Sequence, residues 1–205
     1  VDENGCEIDG DQIMAVCAEY LTAQGKLRSE GFVATVMSNL GLHKFCEENH
    51  LKLLCAAVGD RNVLELMQKE SMVLGGEQSG HIIFLEHMTT GDGQLAALQF
   101  LSILGQSGKK ASELAGQITH YPQLLQNVKV GSNEEKTAIL NSAELAAIVA
   151  REEEKLAGHG RILLRASGTE PLIRVMAEAD TQDLAELVVK TLVQAVENIQ
   201  KILNK

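Results

Sequence analysis

The chain has 205 residues and carries 18 Lys and Arg against 28 Asp and Glu, a formal charge of −10 at pH 7. That balance excludes a general nucleic-acid or anionic-membrane binder, because both need a basic surface, and no apolar run approaches the roughly 18–20 residues that cross a bilayer. With 45% hydrophobic and 22% charged residues, the composition is that of a folded chain of one or two domains.

The start, Val1-Asp2-Glu3-Asn4, has neither a basic nor an apolar leader segment, so no secretory signal is expected. The missing initiator Met points to a processed or truncated chain. Residues 12–24 place Ile13, Val16, Cys17, Tyr20 and Leu21 at helical spacing, with Asp9 or Asp11 available to cap the start. Residues 32–37 form a short apolar run rich in β-branched side chains, the pattern of a strand buried on both faces. A helix fits 42–49 and a second buried strand fits 53–58, ended by Gly59-Asp60. A helix is expected over 62–69 and a third strand over 72–74. The turn Gly75-Gly76-Glu77-Gln78-Ser79-Gly80 precedes a fourth strand at 81–85. After Thr89-Thr90-Gly91-Asp92-Gly93 comes a helix over 94–104, with Asp92 as its N-cap. Alternation of this kind predicts a three-layer α/β domain with a mixed, largely parallel sheet.

A break at Ser107-Gly108-Lys109-Lys110 leads to a short helix around 111–118, and the domain boundary is placed near His120, before Pro122. Residues 1–10 then read as the tail of a preceding domain or a linker, 11–119 as the α/β domain and 120–205 as a second domain. In that second part a strand is expected near 127–130, a helix over about 141–156, strands at 161–166 and 172–177, and a long helix at 182–203 capped by Asp180 or Thr181. This order, β-α-β-β-α, predicts a small α+β unit. Glu152-Glu153-Glu154 reads as a solvated helix face.

Cys6, Cys17, Cys46 and Cys55 form no C-x-x-C pair, and three lie in apolar segments. They read as buried free thiols in a reducing, cytoplasmic setting. The histidines, His43, His50, His81, His87, His120 and His159, show no zinc-type spacing. With 3% aromatic residues and no Trp, base-stacking platforms are not expected.

Charge is uneven along the chain. Residues 1–120 carry 8 basic and 16 acidic side chains, whereas residues 121–205 carry 10 and 12. Between Arg161 and Arg174 three arginines meet one glutamate, the one concentrated positive stretch.

Two loops could carry chemistry. In Arg165-Ala166-Ser167-Gly168-Thr169-Glu170-Pro171, followed by Arg174, a phosphate would find guanidinium, hydroxyl and backbone N–H donors together. The pattern is not a Walker A loop. The competing reading is a tight hairpin whose Ser and Thr cap their own backbone. In Gly75-Gly76-Glu77-Gln78-Ser79-Gly80-His81, Glu77 could accept from two sugar hydroxyls, Ser79 adds a donor–acceptor, and His81 can exchange a proton near neutral pH. Here the competing reading is a Gly-rich turn with Glu77 in solvent. Gly59-Asp60-Arg61 follows a buried strand, where functional loops sit, but Asp60 could equally cap a helix. Asp9-Gly10-Asp11 is a poor Mg²⁺ or Ca²⁺ site and opens no EF-hand.

Together these loops resemble the α-D-phosphohexomutases. Gly76-Glu77-Gln78-Ser79-Gly80-His81 is similar to their sugar-binding loop, and Arg165-Ala166-Ser167-Gly168-Thr169-Glu170-Pro171-Leu172-Ile173-Arg174 to their phosphate-binding loop. Gly59-Asp60-Arg61, Thr89-Thr90-Gly91-Asp92-Gly93 and Phe32-Val33-Ala34-Thr35-Val36-Met37-Ser38-Asn39 are similar to the bacterial phosphoglucosamine mutase branch. The resemblance runs through the whole chain but covers only the last two of the family's four domains, with 11–119 as domain three and 120–205 as domain four. Neither the family's phosphoserine loop nor its Asp-Gly-Asp-Gly-Asp-Arg magnesium loop occurs here. The resemblance therefore implies that an N-terminal half is missing, that no metal ligand lies in this chain, and that the chain alone is inactive.

For the intact enzyme the resemblance implies interconversion of glucosamine 6-phosphate and glucosamine 1-phosphate, with Mg²⁺ and a glucosamine 1,6-bisphosphate-type intermediate. Glu77 and Ser79 would bind the sugar. Arg165, Ser167, Gly168 and Thr169 would bind phosphate, with Arg174 supporting, and His81 matches a position of possible proton transfer. The partner is a small phosphosugar, neither nucleic acid nor membrane. Half of a phosphomannomutase or phosphoglucomutase, and a non-catalytic phosphosugar-binding module, are the alternatives.

Overall fold

A computed structural model describes residues 1–168 and 170–204. The chain divides into two compact units, Val1–His120 and Tyr121–Lys205.

In the first unit, α1 (Gly10–Ala23) starts at a reciprocal cap: Gln12 N–H donates to the Asp9 carboxylate while Asp9 N–H donates to the Gln12 side chain. Strand β1 (Gly31–Thr35) leads to α2 (Leu40–Glu48), then β2 (Lys52–Ala56), α3 (Asp60–Lys69), β3 (Leu74–Gly76), β4 (Ile82–Phe84), α4 (Gly93–Ser107) and α5 (Ala111–Ala115). The sheet order is β2-β1-β3-β4. Strand β1 runs parallel to β2 and β3, and β4 pairs antiparallel with β3.

Alternation along β1 divides the core between the two faces of the sheet. Phe32 and Ala34 join Met14, Leu42, Leu74 and Ile82 on the side of α1, α2 and α4. Val33 joins Val63, Met67, Met72 and Ile83 on the side of α3. The result is three layers, with β1 buried along its whole length.

Two expectations shift. Strand β2 carries an apolar run as β1 does, Leu53 to Ala56, yet its order in the sheet makes it an edge, so Cys55 is exposed and Leu53 and Leu54 only half-buried. Strand β3 begins later than the apolar pattern suggests and takes in Gly75 and Gly76. A Cβ on Gly75 would lie 2.6 Å from Met67 Sδ, so the glycine serves close packing of α3 on the strand.

The second unit runs β5 (Gln123–Lys129), α6 (Asn133–Leu140), α7 (Ala143–Leu156), β6 (Gly160–Ala166), β7 (Leu172–Ala179) and α8 (Gln182–Leu203). Its sheet, β5-β7-β6, is antiparallel throughout. The sequence pattern marks one helix between the first two strands, and the structure has two. Ser132 caps the extra one, α6, by accepting from Glu135 N–H at 3.1 Å. Val128, Ile173, Val175 and Ala177 face the helices and pack on Ile139, Leu145, Leu156, Val188, Leu192 and Val196. Strand alternation puts Arg161, Arg165, Arg174 and Glu178 on the opposite face. Among the described residues no helix is long and apolar enough to cross a membrane.

Candidate functional site

In the first unit, the chain segments that follow parallel strands β1, β2 and β3 meet at one end of the sheet, the end where α/β folds carry their ligands. The segment after β3 is Glu77–His81. It is a closed turn, in which Glu77 N–H donates to the His81 carbonyl at 3.0 Å and Gly80 N–H to the Glu77 carbonyl at 3.0 Å. Gly80 has φ +95°, a conformation that glycine alone adopts without strain. The start of α1 presses against this turn: Gly10 N–H donates to the Gln78 carbonyl at 2.9 Å, and a Cβ on Gly10 would lie 2.1 Å from the Glu77 carbonyl oxygen.

Glu77 is not loose in solvent. Its Oε1 accepts from Gly59 N–H, after β2, at 2.9 Å. Gly59 reaches that position with φ +125°. This fixes the carboxylate and leaves Oε2 with no protein partner among the described residues. Ser79 is exposed at the turn's tip, its hydroxyl likewise without a protein partner there.

His81 is half-buried. Its Nε2 lies 3.2 Å from Gly91 N and 3.4 Å from Asp60 Oδ2. One nitrogen cannot serve both at once. Unprotonated it accepts from Gly91 N–H, and protonated it donates to Asp60. A Cβ on Gly91 would lie 2.4 Å from the ring, so glycine is what admits the imidazole. Asp60 is the first residue of α3, not its cap. Asp92 does cap α4, accepting from Gln94 and Leu95 N–H groups at 2.9 and 3.1 Å.

In the second unit, Arg165 on β6 and Arg174 on β7 are direct cross-strand partners. Like charges placed so are unfavourable. The Nε atoms of both are buried without a hydrogen-bond partner, and neither guanidinium has a carboxylate partner among the described residues. Burial, then the charge of Arg174, pulls the Arg165 pKa below its ordinary value. Ser167 is buried; its Oγ accepts from Glu170 N–H at 3.3 Å and keeps its own hydrogen to donate. Gly168 N–H has no protein acceptor among the described residues. Thr169, the remaining member of the expected phosphate set, lies outside the described residues. Two guanidinium groups, a hydroxyl hydrogen and a free backbone N–H are therefore concentrated at one hairpin end, a donor set suited to a dianion.

One contact and one residue escape the sequence pattern: the bond from Gly59, in a loop the pattern does mark, to Glu77, and the buried Lys136. Gly59 holds Glu77 across 18 residues of sequence. Lys136 on α6, only 7% exposed, donates to the Ser167 carbonyl at 2.7 Å and to the Glu170 carbonyl at 3.2 Å. Asp9 and Asp11 are occupied locally: Asp9 caps α1, and Asp11 Oδ2 accepts from Asn39 N–H at 2.7 Å. Among the described residues no group of three His, Cys, Asp or Glu side chains is arranged to hold a metal. Of the four free cysteines, Cys17 and Cys46 are buried, and burial pushes each thiol up to about 12, whereas Cys6 and Cys55 are exposed. The exposure of Cys55 departs from the buried thiols expected, and it follows from the edge position of β2.

Residues 9–121 match the family model for phosphoglucomutase/phosphomannomutase, alpha/beta/alpha domain III, and residues 125–195 match that for the C-terminal domain. The phosphoglucosamine mutase of Ligilactobacillus salivarius is 50% identical over 197 residues, which are 96% of this chain and 43% of that protein. That of Anoxybacillus flavithermus is 55% identical over 186 residues, 91% of this chain and 41% of the relative. The chain thus spans less than half the length of the curated relatives it matches. In fold it resembles the N-acetylphosphoglucosamine mutase of Aspergillus fumigatus, with a TM-score of 0.80 at 21% identity over 94% of this chain and 44% of that one. Another structure of that protein, with a TM-score of 0.76, contains GlcNAc-6P and magnesium. By the match of its family models over both units, the chain belongs to the phosphoglucomutase/phosphomannomutase family, of which it contains domain III and the C-terminal domain.

Proposed function

We propose that this chain forms the sugar- and phosphate-binding half of a phosphoglucosamine mutase, which interconverts glucosamine 6-phosphate and glucosamine 1-phosphate. The observation that carries the proposal is the Arg165–Arg174 row, two opposed cations with buried, unpartnered Nε atoms beside Ser167 and a free Gly168 N–H. A phosphate dianion satisfies all of these at once, and Thr169 would join them. The 50–55% identity to phosphoglucosamine mutases supports the amino-sugar substrate over a phosphomannomutase or phosphoglucomutase reading.

In this scheme the non-reacting phosphate rests on Arg165, Ser167, Gly168 and Arg174. Glu77 and Ser79 grip ring hydroxyls, with Gly59 keeping the carboxylate in place. A phosphoserine outside this chain transfers its phosphoryl group to the free sugar hydroxyl: the serine O–P bond breaks, the sugar O–P bond forms, and the hydroxyl proton leaves. His81 is the group to move that proton, because unprotonated Nε2 accepts and the protonated ring gains Asp60 as an ion partner. The bisphosphate then turns over and returns its other phosphoryl group to the serine. Positioning and charge stabilisation supply most of the catalysis in such transfers. Magnesium, implied for the intact enzyme, does not fit the residues present here, since Asp9 and Asp11 are engaged within the fold. No step is derived through it.

The chain alone should show no turnover of glucosamine 6-phosphate with Mg²⁺. Calorimetric titration should nevertheless show saturable binding of glucosamine 6-phosphate and none of glucosamine. Arg165→Ala should weaken that binding roughly tenfold or more, since a charge-assisted hydrogen bond contributes about 1.5–3 kcal/mol. Equal affinity of Arg165→Ala and the parent, or turnover by the parent, would overturn the reading.

A further inference from the structure

A lysine in the sequence Asn133-Glu134-Glu135-Lys136 looks like any solvated helix residue, yet Lys136 is buried. A buried ammonium needs acceptors, and burial without a carboxylate partner is uncommon. No carboxylate pairs with Lys136 among the described residues. Its acceptors are two main-chain carbonyls of the phosphate hairpin, Ser167 at 2.7 Å and Glu170 at 3.2 Å. The Glu170 carbonyl also accepts from Leu172 N–H at 2.8 Å, whereas Lys136 is the one donor to the Ser167 carbonyl among the described residues.

We infer that Lys136 is the positioning residue of the anion site, fixing from behind the direction in which the loop presents its N–H. The inference rests on the phosphate reading of Arg165 and Arg174. In a planar trans peptide the carbonyl and the following N–H point in opposite directions. Lys136 holds the Ser167 carbonyl, so the N–H of the same peptide, that of Gly168, points away from Lys136. It is left without a protein acceptor among the described residues. Lys136 sits on α6, on the helix-covered side of the sheet, whereas strand alternation directs Arg165 and Arg174 to the other side. The Gly168 N–H is thereby turned toward the side that carries the two guanidinium groups. The Glu170 carbonyl is shared between Leu172 N–H at 2.8 Å and Lys136 at 3.2 Å, and the residue after it, Pro171, has no N–H to present. Lys136 also adds a third positive charge near the anion, and does so without touching it.

The test compares the parent chain with Lys136→Gln and Lys136→Arg, using inorganic phosphate as the probe and NMR as the readout. Without ligand, Lys136→Gln should move the carbonyl ¹³C shifts of Ser167 and Glu170 and speed hydrogen exchange at Gly168. Lys136→Arg, which keeps charge and donors, should restore much of both. On titration, phosphate should shift the Gly168 amide in the parent, and Lys136→Gln should weaken binding roughly tenfold, as expected on removing a charged hydrogen bond that orders a site. Unchanged ligand-free shifts and exchange, or unchanged phosphate affinity, in a folded Lys136→Gln chain would overturn the inference. Should the parent itself fail to bind phosphate, the phosphate reading falls, and the ligand-free shifts alone decide whether Lys136 sets the loop.

Discussion

Two cross-strand rows lie on the face of the same sheet turned away from its helices, four residues apart along β6. In the first, Arg161 meets Glu178, with Nε to Oε2 at 2.6 Å and Nη2 to Oε1 at 3.1 Å, and the glutamate is fully buried. In the second, Arg165 meets Arg174 and the two Nε atoms have no partner. Both rows are antiparallel β6–β7 pairs with an arginine on β6, and they differ in the charge that stands opposite it. The first row is closed within the fold. The second sets like charges directly opposite each other, an unfavourable pairing, and in the proposed reading an anion from outside completes it. The same residue type on the same strand therefore stands in two electrostatic settings, fixed by what lies opposite it.

The comparison can be broken most forcefully at the closed row. Glu178→Ala removes the carboxylate opposite Arg161. It should lower the unfolding free energy of the second unit by about 3–5 kcal/mol, the range for breaking a buried ion pair, measured by urea unfolding at second-unit residues. A drop below about 1 kcal/mol would place the pair among surface bridges of little weight. Next in size, Arg174→Glu rebuilds the open row in the image of the closed one. Phosphate affinity should fall by roughly a hundredfold, the scale of removing one charge-assisted bond and adding a repulsion, while stability rises slightly. A variant that still binds phosphate would show that Arg174 stands outside the site. Smallest is the effect of phosphate itself. At about ten times its dissociation constant it should raise the unfolding free energy by about 1.4 kcal/mol, and Arg174→Glu should abolish that gain while Arg161 and Glu178 stay paired. Equal stabilisation of both chains would assign the effect to a general salt response.

Much of the molecule is legible from residue pattern, and the exceptions share a cause. The 22-residue helix α8 appears where its amphipathic period places it, because nothing competes with a long, capped apolar stripe. Strand β2 and its thiol depart from expectation because composition reports apolarity while sheet order decides burial. Helix α6 hides in a polar stretch whose start signal, Ser132 with Glu135 three residues on, is short. At the sites, Glu77, His81, Arg165, Ser167 and Gly168 stand out because glycine, hydroxyl and charge cluster locally. Lys136 does not, and Gly59 stands out only as part of the Gly59-Asp60-Arg61 loop, since each acts through a hydrogen bond to a distant part of the chain, 18 residues away for Gly59 and 31 for the shorter Lys136 bond. The apolar pattern puts the third strand early because Gly75 and Gly76 look like a turn, and only the approach of Met67 shows why a strand needs them.

The claim that the open row receives an anion and the closed row does not is tested most directly by following the arginine Nε–H signals during a phosphate titration of the chain. The account predicts that Arg165 and Arg174 move together along one saturable curve while Arg161 stays fixed. Movement of Arg161 on the same curve, or no movement of Arg165 and Arg174, would contradict it.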